Sequence, residues 1–330
     1  MATGYWVSKT LYAGLELGVF EALSQAPRSS RRLAEQLDLP YDGTERLVTA
    51  LAALGLLRRD GEVLANTPST EALLVKRSPT FMAGMFDHFN HDLYPLWRYL
   101  PDAIREGTSR WQQAFGPEAT NNPFETIYRD PVGLRGFLQA MDALLMPNAL
   151  AVREQIDFSR YHHLLDVGGA WGTLPLLLLE RYPQLRATLF DLPPVEPLAK
   201  EHIAEAGAAD RIDVRSGDMF SDPLPTGADL IVLGWILHDW DDATAQRLLR
   251  RCFEALPSGG ELLLLEMVLD DDRSGPLLPA LMSLNMLVAT VSGRERTRGE
   301  FFALLERAGF VEPRLQRLHA PRDAILARKP

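Results

Sequence analysis

The first 75 residues combine short amphipathic runs with polar turns. Apolar residues recur there at helical spacing, which predicts three helices at 11–23, 29–37 and 44–57. Ser29 and Thr44 stand at the start of two of these runs, as helix-capping residues do. Asp60-Gly61 lies between two short stretches in 58–67 and predicts the turn of a β-hairpin. Three helices followed by a hairpin have the arrangement of a winged helix. We expect a dimerisation module, with DNA binding as the alternative.

Residues 78–150 predict longer helices, and the segment 81–100 is rich in aromatic side chains. Such helices, between an N-terminal module and a later domain, are suited to line a pocket, whereas plain core packing is the simpler interpretation. We expect 1–95 to form an N-terminal helical domain and 96–150 to form a helical linker region that lines a substrate pocket.

The pattern changes at residue 163, where short apolar runs begin to alternate with helical stretches. The runs that predict strands lie at 163–169, 187–193, 212–218, 229–237 and 261–269. This alternation predicts an α/β domain whose mostly parallel sheet is covered on both faces, a Rossmann-like arrangement that we place at 151–330. Since ligands of such sheets bind at the carboxyl ends of the strands, we expect the functional residues there.

Composition and charge narrow the possible partners. The chain has 330 residues and a net charge of −10, so it repels polyanions such as nucleic acids. None of its apolar runs is long enough to span a bilayer, and its N-terminus lacks the pattern of a secretion signal. Cys252 is the only cysteine, which fits a reducing compartment. We therefore expect a cytoplasmic protein without nucleic-acid or membrane partners.

A glycine-rich turn follows the first predicted strand. Gly168, Gly169 and Gly172 let the backbone approach a ligand closely, and Asp166 closes the strand with a hydrogen-bond acceptor. A dinucleotide site usually reads G-x-G-x-x-G, whereas the spacing here is G-G-x-x-G, so a nicotinamide cofactor is disfavoured. Asp191 closes the next strand, where a carboxylate accepts hydrogen bonds from both ribose hydroxyls.

The third predicted strand ends in Asp218 and Met219. Asp218 can accept a hydrogen bond from an adenine amino group, and Met219 can pack its polarisable side chain on the ring. The chain has no P-loop lysine and no stretch suited to a triphosphate. Nucleoside recognition from three strand ends, without phosphate binding, indicates an adenosyl group.

Six motifs occur in the same order as in a known family. They are DVGG (166–169), FDLP (190–193), GDMF (217–220), WILHDWDD (235–242), EALPSGG (254–260) and GRERT (293–297). With these motifs the chain resembles the class I S-adenosylmethionine-dependent methyltransferases, and more narrowly the caffeic acid O-methyltransferase type and its bacterial natural-product relatives. The resemblance covers nearly the whole chain, since it continues upstream through ALAALGLL (50–57), Trp97, Phe115-Gly116, Phe124-Glu125 and Asp130-Pro131.

The resemblance implies an α-helical dimerisation domain followed by a Rossmann-like catalytic domain, a homodimer with interlocked N-terminal helices, and a role in secondary metabolism such as antibiotic biosynthesis. It also implies S-adenosylmethionine as cofactor and S-adenosylhomocysteine as product. The residues expected at the cofactor are Asp166, Gly168, Gly169, Asp191, Leu192, Gly217, Asp218, Met219, Phe220 and Trp235. The chain departs from the family's pattern at Ala170-Trp171 in the glycine turn and at Gly234, where family members often have a lysine.

Methyl transfer to a hydroxyl requires a group that removes its proton, and histidine suits this because its unperturbed pKa is about 6.5. His238 closes the fourth predicted strand and matches the general base of the family. Glu266 and Glu295 match the glutamates that flank this base, and Glu266 follows four leucines, where an unpaired carboxylate is costly. We expect Asp239, the residue after the base, to hold a substrate oxygen.

Positions in the family also suggest the acceptor pocket. Phe137, Met141, Met286 and Thr290 should face the acceptor, and Phe and Met walls suit a flat aromatic ring. His88 lies near a position where family members place a polar contact. His88 and His91 together raise a metal site as an alternative, which lacks a clear third ligand, so we predict no metal.

These observations favour O-methylation of a small aromatic or polyketide-like acceptor. C- or N-methylation, or a divergent hydroxylase, is the alternative on the same fold, and a winged-helix DNA-binding regulator is a further one. The base at His238 favours methylation, because relatives that lost methyl transfer tend to lack it.

Overall fold

The computed structural model describes residues 2–78, 80–120, 124, 127–128 and 131–330. Glu125 and Asp130, which carry part of the family resemblance, lie outside the described residues. The chain divides into two compact units, Met1–Tyr94 and Pro95–Pro330. In the described part of the chain, no helix is both long and apolar enough to cross a membrane.

The first unit consists of short helices and a small antiparallel sheet. Its helices are α1 (Gly4–Glu16), α2 (Val19–Gln25), α3 (Ser30–Leu37), α4 (Tyr41–Ala53), α5 (Pro68–Leu74) and α6 (Ala83–His88), which continues into a π-helical turn at Phe89–Leu93. Its strands are β1 (Arg28–Ser29), β2 (Leu57–Asp60) and β3 (Val63–Asn66), in the order β1-β3-β2. Phe20, Leu33, Val48 and Leu51 from three of the helices are buried in its core. The predicted order of helices and hairpin is confirmed.

Two helix predictions in this unit are wrong in detail. The run at 11–23 is not one helix, because Gly18 adopts a φ of 73° and separates α1 from α2. The third predicted helix begins before Thr44, at Tyr41, so Thr44 is not its cap. The Thr44 hydroxyl instead donates to the Pro40 carbonyl oxygen inside the first turn.

The prediction of longer helices in 78–150 is confirmed only in part. One long helix, α10 (Pro131–Gln155), is preceded by the short helices α7 (Tyr94–Trp97), α8 (Leu100–Glu106) and α9 (Trp111–Phe115). Pro101 occupies the first turn of α8, and Gly107 with a φ of 66° ends that helix. Proline and glycine therefore break the aromatic region into short helices.

A seven-stranded sheet lies at the centre of the second unit. Its strands are β4 (His163–Val167), β5 (Arg186–Asp191), β6 (Ile212–Ser216), β7 (Leu230–Gly234), β8 (Glu261–Glu266), β11 (Val311–Gln316) and β12 (Asp323–Arg328), in the order β11-β12-β8-β7-β4-β5-β6. β9 (Val268–Leu269) and β10 (Arg296–Thr297) form a separate short pair. The remaining helices are α11 (Thr173–Arg181), α12 (Glu196–Glu205), α13 (Asp242–Ala255), α14 (Leu277–Ala289) and α15 (Arg298–Ala308). The five predicted strands are confirmed and pair in parallel, whereas β11 and the antiparallel β12 were not predicted.

The chain order of the sheet reverses at β4. From β4 the chain adds β5 and β6 on one side, and then β7 and β8 on the other. Successive residues of β4 face two separate cores, Leu164 on one side of the sheet and Leu165 on the other. The loops that leave the carboxyl ends of β4 and β7 therefore diverge, which creates the crevice where ligands of such sheets bind.

Candidate active site

The glycine turn after β4 packs tightly against its neighbours. A Cβ atom at Gly168, whose φ is 72°, would lie 2.5 Å from Ile236 Cδ1, and one at Gly169 would overlap Leu189 and lie 2.5 Å from Asp166 Oδ2. The Gly168 N–H donates to the Phe190 carbonyl oxygen over 2.8 Å, which ties the turn to β5. The sequence requires glycine here because side chains would force the strand ends apart.

Two carboxyl groups lie beside this turn, at the ends of β4 and β5. Asp191 Oδ2 accepts from the Ala170 N–H over 2.9 Å, and Oδ1 accepts from the Leu192 N–H over 2.7 Å. Burial raises the pKa of Asp191 to about 6 although both hydrogen bonds oppose it. Burial, with the nearby Asp191 charge, raises the pKa of Asp166 to about 7. These two carboxyl groups can bind a cation or accept hydrogen bonds from a ligand. Each Asp191 oxygen accepts one backbone N–H, so lone pairs remain that can accept hydrogen bonds from ribose hydroxyls.

The turn after β6 lies beside Asp191. The Gly217 N–H donates to the Asp191 carbonyl oxygen over 2.9 Å, which joins the two strand ends. Asp218 Oδ1 accepts from the Phe220 N–H over 2.8 Å, so the carboxylate is oriented by its own turn. The Met219 carbonyl oxygen accepts from Arg251 Nε. The structure thus brings the predicted cofactor residues of three strands to one edge.

The two departures from the family pattern have different surroundings. The Trp171 ring stacks on the His202 ring of α12, with centroids 5.1 Å apart, and is only 9% exposed. At Gly234 an added Cβ would meet nothing closer than Leu265 Cδ1 at 4.0 Å, so space is open beside this residue. Trp171 is therefore a packing residue of the helical layer.

His238 lies on a 3₁₀ turn, Leu237–Asp239, that follows β7, and it is only 4% exposed. Its Nδ1 lies 2.9 Å from Oε1 of the buried Glu295, and its Nε2 lies 3.6 Å from Asp239 Oδ1. Burial raises the pKa of Glu295 to about 8 and that of Asp239 to about 7. Once ionised, Glu295 is an acceptor only, so it holds the proton of His238 on Nδ1 and leaves Nε2 as a base.

Glu266 lies beside His238, as expected, and contacts the backbone of the turn that carries it. Its Oε1 accepts from the Ile236 and Leu237 N–H groups over 3.1 and 2.8 Å, so it holds the backbone next to His238. The ligand-type atoms of His238, Glu266 and Glu295 all lie within 4.8 Å of one another. Burial raises the pKa of Glu266 to about 7.

Two arginines near the base were missed by the sequence reasoning. Arg296 is fully buried and donates from Nη1 to the Leu237 carbonyl oxygen over 2.7 Å and from Nη2 to the Trp240 carbonyl oxygen over 2.6 Å. Arg322 is 1% exposed and lies over the Trp235 ring, with 3.6 Å between Cζ and the ring centroid. The position of Arg296 next to Glu295 is a signal that was available, whereas nothing in the pattern indicates Arg322.

Tyr128 was also missed. Its ring packs between those of Phe124 and Phe137, with centroid distances of 6.1 and 6.3 Å. Burial raises the pKa of Tyr128 well above 10, and the charges of Asp191 and Asp239 raise it further. The Tyr128 hydroxyl therefore lies near the carboxyl groups of Asp191 and Asp239.

The predicted acceptor residues are distributed over both units. Phe137 and Met141 are partly buried on α10, and Met286 is buried on α14. The Thr290 hydroxyl donates to the Met286 carbonyl oxygen and accepts from the Gly293 N–H, each over 2.8 Å, so it closes the end of α14. His88 lies in the first unit, where its Nδ1 is 2.6 Å from Asp92 Oδ2.

Comparison with known proteins gives matches along the whole chain. The family model described as "O-methyltransferase domain" matches residues 97–311, and the one described as "O-methyltransferase dimerisation domain" matches residues 1–76. Acetylserotonin O-methyltransferase of Bos taurus is 39% identical, covering 99% of this chain and 96% of its own. A 3-hydroxy-5-methyl-1-naphthoate 3-O-methyltransferase of Streptomyces sahachiroi is 37% identical over 97% and 91% of the two chains. The crystal structure of human N-acetylserotonin methyltransferase in complex with SAM aligns with a TM-score of 0.93, at 37% identity over 99% and 95% of the chains.

Proposed function

Because this chain belongs to the S-adenosylmethionine-dependent O-methyltransferase family, we propose that His238 is the general base that removes the proton from an acceptor hydroxyl. The observation that carries this proposal is the buried hydrogen bond between His238 Nδ1 and Glu295 Oε1, 2.9 Å long. It directs the lone pair of Nε2 away from Glu295 and makes it available to the acceptor.

The residues at the carboxyl ends of β4, β5 and β6 fit the cofactor. The glycine turn has no room for side chains at Gly168 and Gly169, and the Asp191 carboxylate has lone pairs left for ribose hydroxyls. When bound, S-adenosylmethionine supplies a methyl group that its positive sulfur has already activated. The residues that we propose at the cofactor are Asp166, Gly168, Gly169, Asp191, Leu192, Gly217, Asp218, Met219, Phe220 and Trp235.

The protein contributes proton transfer and orientation. His238 takes the hydroxyl proton at Nε2 and becomes an imidazolium, which the Glu295 carboxylate stabilises through Nδ1. Glu266 holds the turn in place through two backbone N–H groups. Asp239 Oδ1, 3.6 Å from Nε2, is placed to orient the acceptor oxygen.

We further propose that the acceptor is a small aromatic hydroxyl compound. Support comes from the apolar side chains of Phe137, Met141 and Met286, and from relatives whose names include acetylserotonin and 3-hydroxy-5-methyl-1-naphthoate. Thr290 and His88 are further proposed acceptor contacts. The match of residues 1–76 to a dimerisation domain supports a homodimer and disfavours a DNA-binding role for the winged helix. The net charge of −10 supports an enzyme without nucleic-acid partners, and a single cysteine, Cys252, fits a cytoplasmic location.

The test of the general base is His238→Gln, assayed with labelled S-adenosylmethionine and a panel of phenols. We expect kcat to fall by about 100-fold or more, since general bases contribute roughly 10²–10⁴-fold. The affinity for S-adenosylhomocysteine, measured by calorimetry, should stay within about threefold, because the variant leaves the strand ends intact. Activity close to that of the unmodified enzyme would remove His238 from this role. Mapping the labelled position in the product decides between O-methylation and C- or N-methylation.

A further inference from the structure

Arg322 is a fully buried cation close to the catalytic turn. Its backbone N–H donates to Asn148 Oδ1 over 3.3 Å, and Asn148 Nδ2 donates to its carbonyl oxygen over 3.0 Å. Nη1 donates to the Leu144 carbonyl oxygen over 3.2 Å, and Nε has no hydrogen-bond partner among the described residues. Helix α10 therefore holds the backbone of Arg322 through Asn148 and its side chain through the Leu144 carbonyl oxygen.

The Trp235 ring lies against both Arg322 and His238. Arg322 Cζ is 3.6 Å from its centroid, and the His238 ring stacks on it with centroids 5.1 Å apart and planes inclined by 17°. Trp235 has a φ of 61°, a strained value for a side chain of this size, and its backbone N–H donates to the Leu265 carbonyl oxygen over 2.9 Å. Strain of this kind persists only where surrounding contacts over-determine it.

Charged groups from four segments surround the imidazole. They are Asp239 on its own turn, Glu266 at the end of β8, Glu295 and Arg296 at the start of β10, and Arg322 before β12. The second oxygens of Glu266 and Glu295 are buried without a hydrogen-bond partner among the described residues. The charge of Arg322 lowers the pKa of Glu295, whereas burial acts in the opposite direction and dominates.

We propose that Trp235 and Arg322 are positioning residues for the general base, a role that rests on the function proposed for His238. Arg322 clamps the Trp235 ring, and that ring fixes the plane of the imidazole so that Nδ1 faces Glu295. The guanidinium also favours the ionised form of Glu295, which must accept the Nδ1 hydrogen bond. A buried arginine that only connected α10 to β12 would not require the stacked arrangement.

Trp235 is tested with Trp235→Leu and Trp235→Phe. We expect the leucine variant to lose about 10- to 100-fold in kcat through a misplaced base, while the KM for the acceptor changes by less than about threefold. The phenylalanine variant, which keeps an aromatic face, should recover most of kcat. A raised KM for S-adenosylmethionine with an unchanged kcat would overturn the proposal and make Trp235 a cofactor contact alone.

Arg322 is tested with Arg322→Met and Arg322→Lys. In the methionine variant the acidic limb of the profile of kcat against pH should move to higher pH by about one unit. The reason is that the variant lacks the positive charge of Arg322, which favours the ionised form of Glu295. The lysine variant should keep the limb in place. Arg110→Met is the matched control, since the Arg110 side chain is 8% exposed and its Nε is also unpartnered among the described residues. An unmoved limb in Arg322→Met, or an equal shift in Arg110→Met, would overturn the proposal.

A second readout needs no acceptor. Nitrogen NMR of the protein with labelled histidine, with His238→Gln for assignment, reports which ring nitrogen of His238 carries the proton. At a pH above the pKa of Glu295, where its carboxylate is ionised, we expect a single Nδ1-protonated form in the unmodified protein and a mixture in Trp235→Leu. A single form in both would contradict the positioning role even if His238 is the base. Full activity of His238→Gln would instead contradict the general base, so the two failures are distinguishable.

Discussion

At the scale of single residues, the role proposed for Asp191 predicts that cofactor binding depends on pH. Burial raises its pKa to about 6, so the carboxylate is ionised above that pH and increasingly protonated below it. A protonated carboxyl group loses one of the acceptors that ribose hydroxyls require. Asp191 should therefore be mostly ionised at neutral pH, and cofactor binding should weaken as the medium becomes acidic.

We expect the affinity for S-adenosylhomocysteine to fall as pH decreases through the pKa of Asp191. Asp191→Asn should weaken binding by at least about tenfold, from the loss of charge-assisted hydrogen bonds worth roughly 1.5–3 kcal/mol. Calorimetry between pH 5 and 8 measures both effects. Asp213→Asn is the control, since Asp213 is an exposed residue of β6. Binding by Asp191→Asn as tight as that of the unmodified protein would contradict the ribose assignment.

Residues that end a predicted strand could be identified from the sequence, and residues that reach the site from elsewhere could not. Asp191 and His238 follow apolar runs whose carboxyl ends must meet at one edge of a parallel sheet. Arg322 looks like a polar turn residue before a strand, and its burial depends on α10, which lies far away in the chain. Glu266 was predicted as a neighbour of the base, but its backbone acceptor role depends on the register of β7 and β8.

At the scale of elements, the turn Leu237–Asp239 is held by the end of β8 and by the segment that follows α14. Besides Glu266 and Arg296, the Arg294 N–H donates to the His238 carbonyl oxygen over 2.8 Å. Gly293 lies directly against this carbonyl group, where an added Cβ would be 2.5 Å from the His238 oxygen and would overlap the Thr290 hydroxyl. The segment 293–296 is thus a support for the base, and not only the source of Glu295.

Gly293→Ala should therefore displace the turn that carries His238. We expect kcat to fall by about 10- to 100-fold, because small misplacements of a catalytic group are costly, with a smaller change in KM for S-adenosylmethionine. Gly136→Ala is the control, since an added Cβ there meets nothing within 4 Å, and alanine should stabilise α10 by about 0.5–1 kcal/mol. Steady-state kinetics and thermal unfolding measure these effects. A Gly293→Ala enzyme with unchanged kcat would show that the segment tolerates the extra methyl group.

The helices and strands were predictable where the spacing of apolar residues and the length of the run both indicated the same type of element. β4 to β8 are short apolar runs between helical stretches, and all five were identified. β11 contains the exposed Glu312 and the internal Pro313, so its pattern is that of a loop. β12 pairs antiparallel with β8, which lies much earlier in the chain, and the apolar pattern does not indicate this pairing. The division of the run 11–23 at Gly18 depends on one backbone angle, which the apolar spacing does not encode.

At the scale of the whole molecule, the second unit buries several carboxyl groups, and burial makes their ionised forms unfavourable. Burial raises the pKa values of Asp166, Asp239, Glu266 and Glu295 to about 7 or 8, well above those of exposed carboxyl groups. Between about pH 5 and 8 the folded protein therefore binds more protons than the unfolded chain does. Stability must then fall as pH rises through this window, because the slope follows the difference in bound protons, about 1.4 kcal/mol per pH unit for each proton.

We expect the melting temperature of the cofactor-free protein to rise as pH is lowered from 8 to about 6, measured at one protein concentration because residues 1–76 match a dimerisation domain. Glu295→Gln removes one of these carboxyl groups, so it should raise the melting temperature at pH 8 and reduce the slope, although it also removes the hydrogen-bond acceptor of the base. Glu254→Gln, at an exposed position of α13, should leave the slope unchanged. A melting temperature that instead increases from pH 6 to pH 8 would mean that these carboxyl groups stay ionised in the folded protein. The positive charges of Arg322 and Arg296 would then outweigh the effect of burial on the pKa of Glu295.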